Sequence, residues 1–239
     1  MTGTIINAAG IILGGVAGLT VHKQLSMPTQ QVLKIALGAL TIYVGLKLTY
    51  NSLGPGFLLA LKGLGIVVLA LMLGRLTGRL LHLQKGLNHL GQYAKQRMAQ
   101  AGAAGSNRFS EGFITCTVLF CLAPIATIGA VQDGLSGYWQ TLGVKAFIDG
   151  LAAMAFVTTF GWGVLVSVIP VVAYQGTIWL AARVLAPYLS NYSLLDSVNA
   201  TSGLLVFSIA LLILNFRKVE VADYLPSLAF APLITWLWR

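Results

Sequence analysis

Acidic residues are scarce: six Asp and Glu stand among 239 residues, and the four charged types together reach only 9%. A soluble globular protein carries roughly 25% charged residues, and a soluble particle of this length could not cover its surface with so few solvating groups. The shortage excludes an ordinary cytosolic enzyme and a disordered chain. Cysteine is equally sparse, with Cys116 and Cys121 five residues apart inside an apolar run. Five helical residues turn through about 500°, which leaves the thiols about 140° apart and unable to form an intrahelical disulfide. No His lies near them, so a zinc site is not expected and two small apolar side chains packing among helices is the simpler role. The first apolar run, Met1 to Thr20, has no basic segment before it and no clear small-residue cleavage site after it. It reads as a retained span. Segments of strict apolar–polar alternation are missing too, which excludes an outer-membrane barrel.

Apolar residues dominate instead, at 57% of the chain. They gather in unbroken runs of about 17 to 25 residues, the length a helix needs to cross a bilayer. Eight candidate helices follow: Thr4–Val21, Gln31–Tyr50, Phe57–Leu76, Phe113–Val131, Thr141–Phe160, Gly163–Leu185, Ala200–Asn215 and Tyr224–Trp238. Lys145 to Pro187 is too long for one span, and Gly161-Trp162-Gly163 marks a tight turn dividing it. Pro226 and Pro232 break the final run, and if that run only dips into the bilayer the count is seven. The expected fold is all-α, a polytopic membrane helix bundle with residues 1–239 in one integral membrane domain.

A formal charge of +9 does not imply nucleic acid, because basic groups bind phosphate only when clustered on a wet surface. Here they sit in short segments between apolar runs, as on the cytoplasmic side of membrane proteins. Arg75, Arg79, Lys85, Lys95, Arg97 and Arg108 fall between the third and fourth spans, against one acid, Glu111. Loop 77–110 is therefore expected to be cytoplasmic. Counting outward places both termini, residues 51–56 and the Gln132–Gln140 loop outside, and Asn215-Phe216-Arg217-Lys218 inside. Lys145 and Arg239 run against that rule, since both would lie on the outer side. Within the long loop, Leu80 to Met98 interleaves leucines with His82, Lys85, His89, Lys95 and Arg97. That pattern suits an amphipathic helix on the lipid surface, with a partner-binding helix as the alternative. Ala99–Asn107 reads as a flexible linker.

Lys34–Leu76 and Asn199–Trp238 share a pattern of apolar helix, short polar turn and second apolar helix. Gly38 and Gly203 open the first helix of each pair, and Asn51 and Asn215 close it. The first turn carries no Lys or Arg and is expected outside, the second carries Arg217 and Lys218 and is expected inside; opposite orientations would make this an inverted repeat, a construction common in secondary transporters.

Ionisable groups at membrane depth are costly and usually face a bundle interior or a water-filled cavity. Asp149 is the clearest, four residues after Lys145 and so on the same helix face. Two roles stand open: a carrier of protons or cations, or a structural pair with Lys145 near the outer interface. Asn7, Thr158, Thr159, Gln175, Asn199, Thr201 and Ser202 add amides and hydroxyls, the hard ligands that ions and polar solutes require. Asp196 reads as helix-start chemistry, and Asp133 falls in an outer loop. Gly10, Gly14 and Gly18 form a small-residue stripe, and Gly74 and Gly78 repeat the spacing. Such stripes let helices approach closely, within a subunit or across a homodimer. His22, His82 and His89 lie at cytoplasmic edges with no nucleophile or acid beside them, and no nucleotide-binding loop is present. Neither catalysis, a cofactor nor a metal site is expected.

Several blocks carry a resemblance. They are Gly3-Thr4-Ile5-Ile6-Asn7 leading to Gly14-Gly15-x-x-Gly18, Ile128-Gly129-Ala130-x-x-Asp133-Gly134-Leu135-Ser136-Gly137, Lys145-x-x-x-Asp149 with Ala153-Met154, and Gly163-Val164-x-x-Ser167 followed by Gln175. Together they resemble the bacterial inner-membrane family catalogued as domain of unknown function 554, over nearly the whole chain. The resemblance implies a multi-pass bacterial plasma-membrane protein, often described as transporter-like, and points to Asn7, Asp133, Lys145, Asp149 and Gln175 as shared polar residues. The leading expectation is a secondary transporter or channel-like permease for a small ion or polar solute, coupled to protons or sodium. In it Asp149 binds the coupling ion while Asn7, Gln175 and Asn199 coordinate substrate. The alternative is a non-transporting assembly protein that recruits a cytoplasmic partner through its basic loop.

Overall fold

A computed structural model describes residues 1–20, 26–100, 108–191 and 194–238. His22, Arg239 and all but the first two residues of the Ala99–Asn107 linker lie outside the described residues. The chain is a helical bundle, as its long apolar runs require, because a helix satisfies every backbone polar group without water. Among the described residues, six helices are long and apolar enough to cross a membrane: α1 (Thr2–Thr20), α2 (Met27–Asn51), α3 (Phe57–Leu80), the Gly163–Ser190 span, and two others described below, Gln140–Phe160 and Leu195–Ile213. Their outer faces carry bare apolar side chains such as Leu13, Val32, Ile35, Leu58 and Met72, all more than half exposed. That belt is a surface for lipid tails.

The region beyond α3 forms α4 (Leu83–Gln100), an exposed amphipathic helix that docks through the buried Ala94. The fourth expected span differs from the single helix Phe113–Val131. It is a broken pair, α5 (Arg108–Leu122) and α6 (Pro124–Ser136), bent by 58°. Proline explains the break: Pro124 has no N–H to give the carbonyl of Phe120, and it forces Ala123 out of the helical region to φ −58°, ψ 126°. Helix α6 then runs five residues past its expected end, into what reads as an outer loop. Gly137 in the left-handed conformation (φ 71°) sets that end, its N–H donating to the Asp133 carbonyl at 3.1 Å.

Next come α7 (Gln140–Phe160), the short α8 (Gly163–Val166) and α9 (Val168–Asn191), with Gly161 at φ 70° making the expected turn. Helix α10 (Leu195–Ile213) starts before Ala200, with the exposed Asp196 in its first turn, where a carboxylate faces the positive helix end. Asn215, also left-handed at φ 59°, closes it. The last apolar run is a 3₁₀ turn, Val221–Tyr224, followed by α11 (Ser227–Leu237) of 11 residues. At 1.5 Å per residue α11 covers about 16 Å, roughly half the hydrocarbon thickness, so it is too short to be an eighth full span.

Both glycine stripes are used inside the chain. Gly10, Gly14 and Gly18 of α1 lie on the backbone of Ala146, Gly150 and Met154 of α7, and a Cβ at Gly10 would stand 2.5 Å from the Ala146 carbonyl oxygen. The contact residues rise together along both helices, so α1 and α7 run parallel. Gly74 and Gly78 of α3 lie on Ser227 and Asp223, which seats α11 antiparallel on α3. In the same way Gly45 of α2 meets Gly203 of α10, and the Thr49 hydroxyl donates to the Ala200 carbonyl at 3.2 Å.

These contacts sort the loops to two ends. Gln84 of α4 donates its backbone N–H to Asp223 Oδ1 at 2.8 Å, and its side-chain oxygen accepts from Ala222 N–H at 3.1 Å. Phe109 at the start of α5 stacks on Trp162, with ring centroids 4.5 Å apart. The end of α3, α4, the start of α5, the Gly161 turn and residues 214–224 thus share one end. Residues 133–141 gather with Met1 and Gly3 at the other.

Candidate functional site

Ile11 of α1, Ala153 of α7 and Val171 of α9 meet in one apolar cluster with Cys116 and Phe120 of α5. Asn7, Asp149 and Gln175 stand one helical turn from these three residues on the same helix faces. Helices α1 and α7 run toward the basic end and α9 runs away from it, so all three displacements point the same way. Three helices therefore bring an amide, a carboxylate and a second amide to one layer, level with the middle of α7.

Lys145 completes the layer. Its side chain is fully buried, and its ammonium is hydrogen-bonded and ion-paired to Asp149 Oδ2. The pairing expected from the four-residue spacing is present, and the pair lies in the core of the bundle. The ammonium also sits 5.9 Å from the Phe120 ring centroid, over a face that favours a cation. Phe120 is one turn before Pro124, so the ion pair abuts the broken end of α5.

The amides are the unusual element. Asn7 and Gln175 are completely buried, and neither the nitrogen nor the oxygen of either side chain has a hydrogen-bond partner of regular geometry. Asn7 is a close neighbour of the Asp149 carboxylate. The hydroxyls of Thr4 and Thr115 are likewise buried and unpartnered. Buried polar groups are nearly always paired, and leaving one unpaired costs about 1–3 kcal/mol. Two buried amides without regular partners, in the same layer as the ion pair, suit a polar guest or ordered water.

The other expected residues form a second, self-satisfied cluster toward the far end. Gln132 is at its centre: its oxygen accepts from the Thr141 hydroxyl and its nitrogen donates to Ser202 Oγ at 3.0 Å. Ser202 donates to the Asn199 carbonyl at 3.0 Å, and Ser136 donates to Asn199 Oδ1 at 3.3 Å. Asn199 and Ser202 thus tie α10 to α6 and α7, and the structure does not bring Asn199 into the Asp149 layer. Thr141 is one turn from Lys145, so the two clusters are stacked along α7. Asp133 is a buried residue of α6, not a loop acid, and its Oδ2 accepts from the Gly3 N–H at 2.9 Å and lies 3.4 Å from the Met1 amine. Thr158 and Thr159 are exposed and belong to neither cluster. Sequence reading passed over Gln132 because it sits beside a predicted loop acid; an amide three residues from Gly129 in an otherwise apolar helix was the available signal.

A separate cleft of about 330 Å³ lies at the basic end, where Arg79, His82 and Lys85 face Glu220 and Asp223. Arg79 and Glu220 pair there at 3.5 Å, both half exposed.

The family model described as "Protein of unknown function (DUF554)" matches residues 2–236. The chain is 27% identical over 235 residues to "Uncharacterized membrane protein YdfK" of Bacillus subtilis (strain 168), covering 98% of this chain and 95% of that one. It is 31% identical over 239 residues to "Uncharacterized protein YqgA" of Escherichia coli (strain K12), covering 99% and 97%. No solved structure matches it. With its apolar helices packed around a buried polar layer and a family match over almost its whole length, this multi-pass membrane protein belongs to the DUF554 family.

Proposed function

We propose that the protein is a secondary transporter or channel-like permease for a small ion or polar solute, with the Lys145–Asp149 layer as its binding site. One observation carries the reading: a fully buried ion pair at the middle of a membrane helix, flanked by the unpartnered amides of Asn7 and Gln175. The broken α5–α6 span supports it, because discontinuous helices supply backbone groups to midplane sites in transporters. So does the arrangement of the two hairpins. Helix α2 packs antiparallel on α10 and α3 antiparallel on α11, the relation an inverted repeat would produce. In this reading the protein lies in the bacterial plasma membrane with loop 77–110 cytoplasmic and the N-terminus outside, while the short α11 enters from the cytoplasmic end and does not carry the chain back across. A homodimer would use lipid-facing surface, since both glycine stripes are occupied within the chain. The test is flux in proteoliposomes: Asp149→Asn is expected to abolish pH- or sodium-coupled uptake in folded protein, and unchanged flux removes Asp149 from the mechanism.

A second reading draws on α4. Its exposed basic side chains Lys85, Lys95 and Arg97 and the cleft beside it suit an acidic cytoplasmic partner, with the ion pair purely structural. Flux that survives deletion of residues 83–100 favours the permease, whereas loss of a co-purifying protein with no flux in either form favours this alternative.

A further inference from the structure

The inference drawn next rests on the permease reading of the Lys145–Asp149 layer and narrows it. We infer that the layer takes up a small monoanion together with one proton, the anion replacing Asp149 as the partner of Lys145 and the proton going to the Asp149 carboxylate.

Charge balance in a buried place limits what the layer can take up. Lys145 and Asp149 cancel each other, and both are removed from water. A lone cation or a lone proton would leave the layer at net +1, and a lone anion at net −1; either is costly at membrane depth. Uptake that keeps the layer neutral is open to a neutral solute, a zwitterion, or an anion with a cation. The surroundings favour the anion. Ile125 and Ile128 of α6 pack in one cluster with Val144 and Ile148 of α7, so the N-terminus of α6 stands level with Lys145. That N-terminus has no acid in its first turn, and a half-helix start of this kind places a positive dipole end at the site. The buried amides of Asn7 and Gln175 add nitrogens that can donate to an anion, beside oxygens that can accept from a protonated carboxyl. A proton occupies no volume, so a packed layer needs room for the anion alone. In the exchange a proton from solution binds Asp149, the ammonium–carboxylate pair opens, and an ammonium–anion pair replaces it.

No other group on the packed elements takes over either role. From α5 the layer is faced by Cys116 and Cys121, from α1 by Asn7 and from α9 by Gln175. On α2, Lys47 is exposed and bonded to Tyr43 at 3.1 Å; on α6, Asp133 is engaged by Gly3; α8 has no titratable side chain.

The test is proton counting on the purified full chain in detergent, in weakly buffered solution with a pH indicator. Sodium formate, acetate and lactate are titrated, with sodium chloride, glycine and betaine as comparisons. The expected result is uptake of about one proton per bound carboxylate, with affinity falling about tenfold per pH unit above the titration of the site. Asp149→Asn is expected to bind the same anion without proton uptake and independently of pH, and its lowered melting temperature is expected to rise on adding formate. Should that variant not fold, the wild-type proton count decides alone. Binding of glycine or betaine without proton uptake, a saturable response to sodium at fixed anion, or no saturable proton uptake with any carboxylate or with chloride overturns the inference. Proton-linked anion binding without flux in proteoliposomes would instead overturn the permease reading, and flux of a lone cation would overturn only the inference.

Discussion

Lys145 and Asp149 form an ion pair one turn apart on α7, with the lysine wholly enclosed by protein. Such a pair is poor evidence for stability: the desolvation of two charges offsets most of their attraction, while removing one partner strands the other. A protein that needed only packing here would be served as well by two apolar residues.

That asymmetry gives the first prediction. Lys145→Met alone, or Asp149→Leu alone, should lower unfolding stability by about 3–5 kcal/mol. The double variant should recover most of that loss and remain inactive in flux assays. Melting temperatures in detergent beside uptake in proteoliposomes measure both; a double variant as active as wild type would make the pair a structural ornament.

Helix α1 lies against α7 with no room for a side chain at Gly14, where a Cβ would meet the Gly150 backbone. Gly14→Ala should therefore destabilise by about 1–3 kcal/mol or more, the range for overpacking. Gly65→Ala in α3 meets nothing within 4 Å and should be neutral or stabilising by about 0.5–1 kcal/mol through helix propensity. Equal melting temperatures for the two variants would contradict the close α1–α7 contact.

The start of α4 is held by a two-way contact, Gln84 N–H to Asp223 and Ala222 N–H to Gln84. Asp223→Ala should leave the bundle folded but raise hydrogen exchange over residues 83–94 by roughly tenfold or more, the loss of about 1–3 kcal/mol. Exchange unchanged there, with faster exchange elsewhere, would show that α4 is held by Ala94 and α5 instead.

Single reporter cysteines test the topology. Ser52→Cys and Lys218→Cys should be labelled by an impermeant maleimide from opposite sides of the membrane, while the native Cys116 and Cys121, both buried, stay unlabelled. Labelling of both reporters from one side would remove the inverted repeat and the assigned sidedness together.

Much of the bundle was legible because hydrophobic run length and chain punctuation act locally. The turn at Gly161, the helix closed at Asn215 and the stripe at Gly10, Gly14 and Gly18 follow from residue chemistry within a few positions. The α5–α6 break is half legible: Pro124 stands in the sequence inside the Phe113–Val131 run, but proline alone does not say whether a helix continues with a kink or bends by 58°. Asp133 was misread because the glycine that ends α6 lies four residues after it, and a polar Gln-Asp pair resembles a loop until its partners are known.

Composition and periodicity determined that this chain crosses a membrane, roughly where, and that one acid, Asp149, has a lysine on its own helix face. Both depend only on spacing along a helix. Tertiary structure decided the rest: that α1 and α9 bring Asn7 and Gln175 to the layer of that acid, that Asn199 and Ser202 belong to Gln132 instead, and that Lys145 is wholly enclosed by the bundle. Those are contacts between different helices, from 26 residues apart (Asp149 and Gln175) to 142 (Asn7 and Asp149), set by which faces let two helices meet, and no pattern local to one helix contains them.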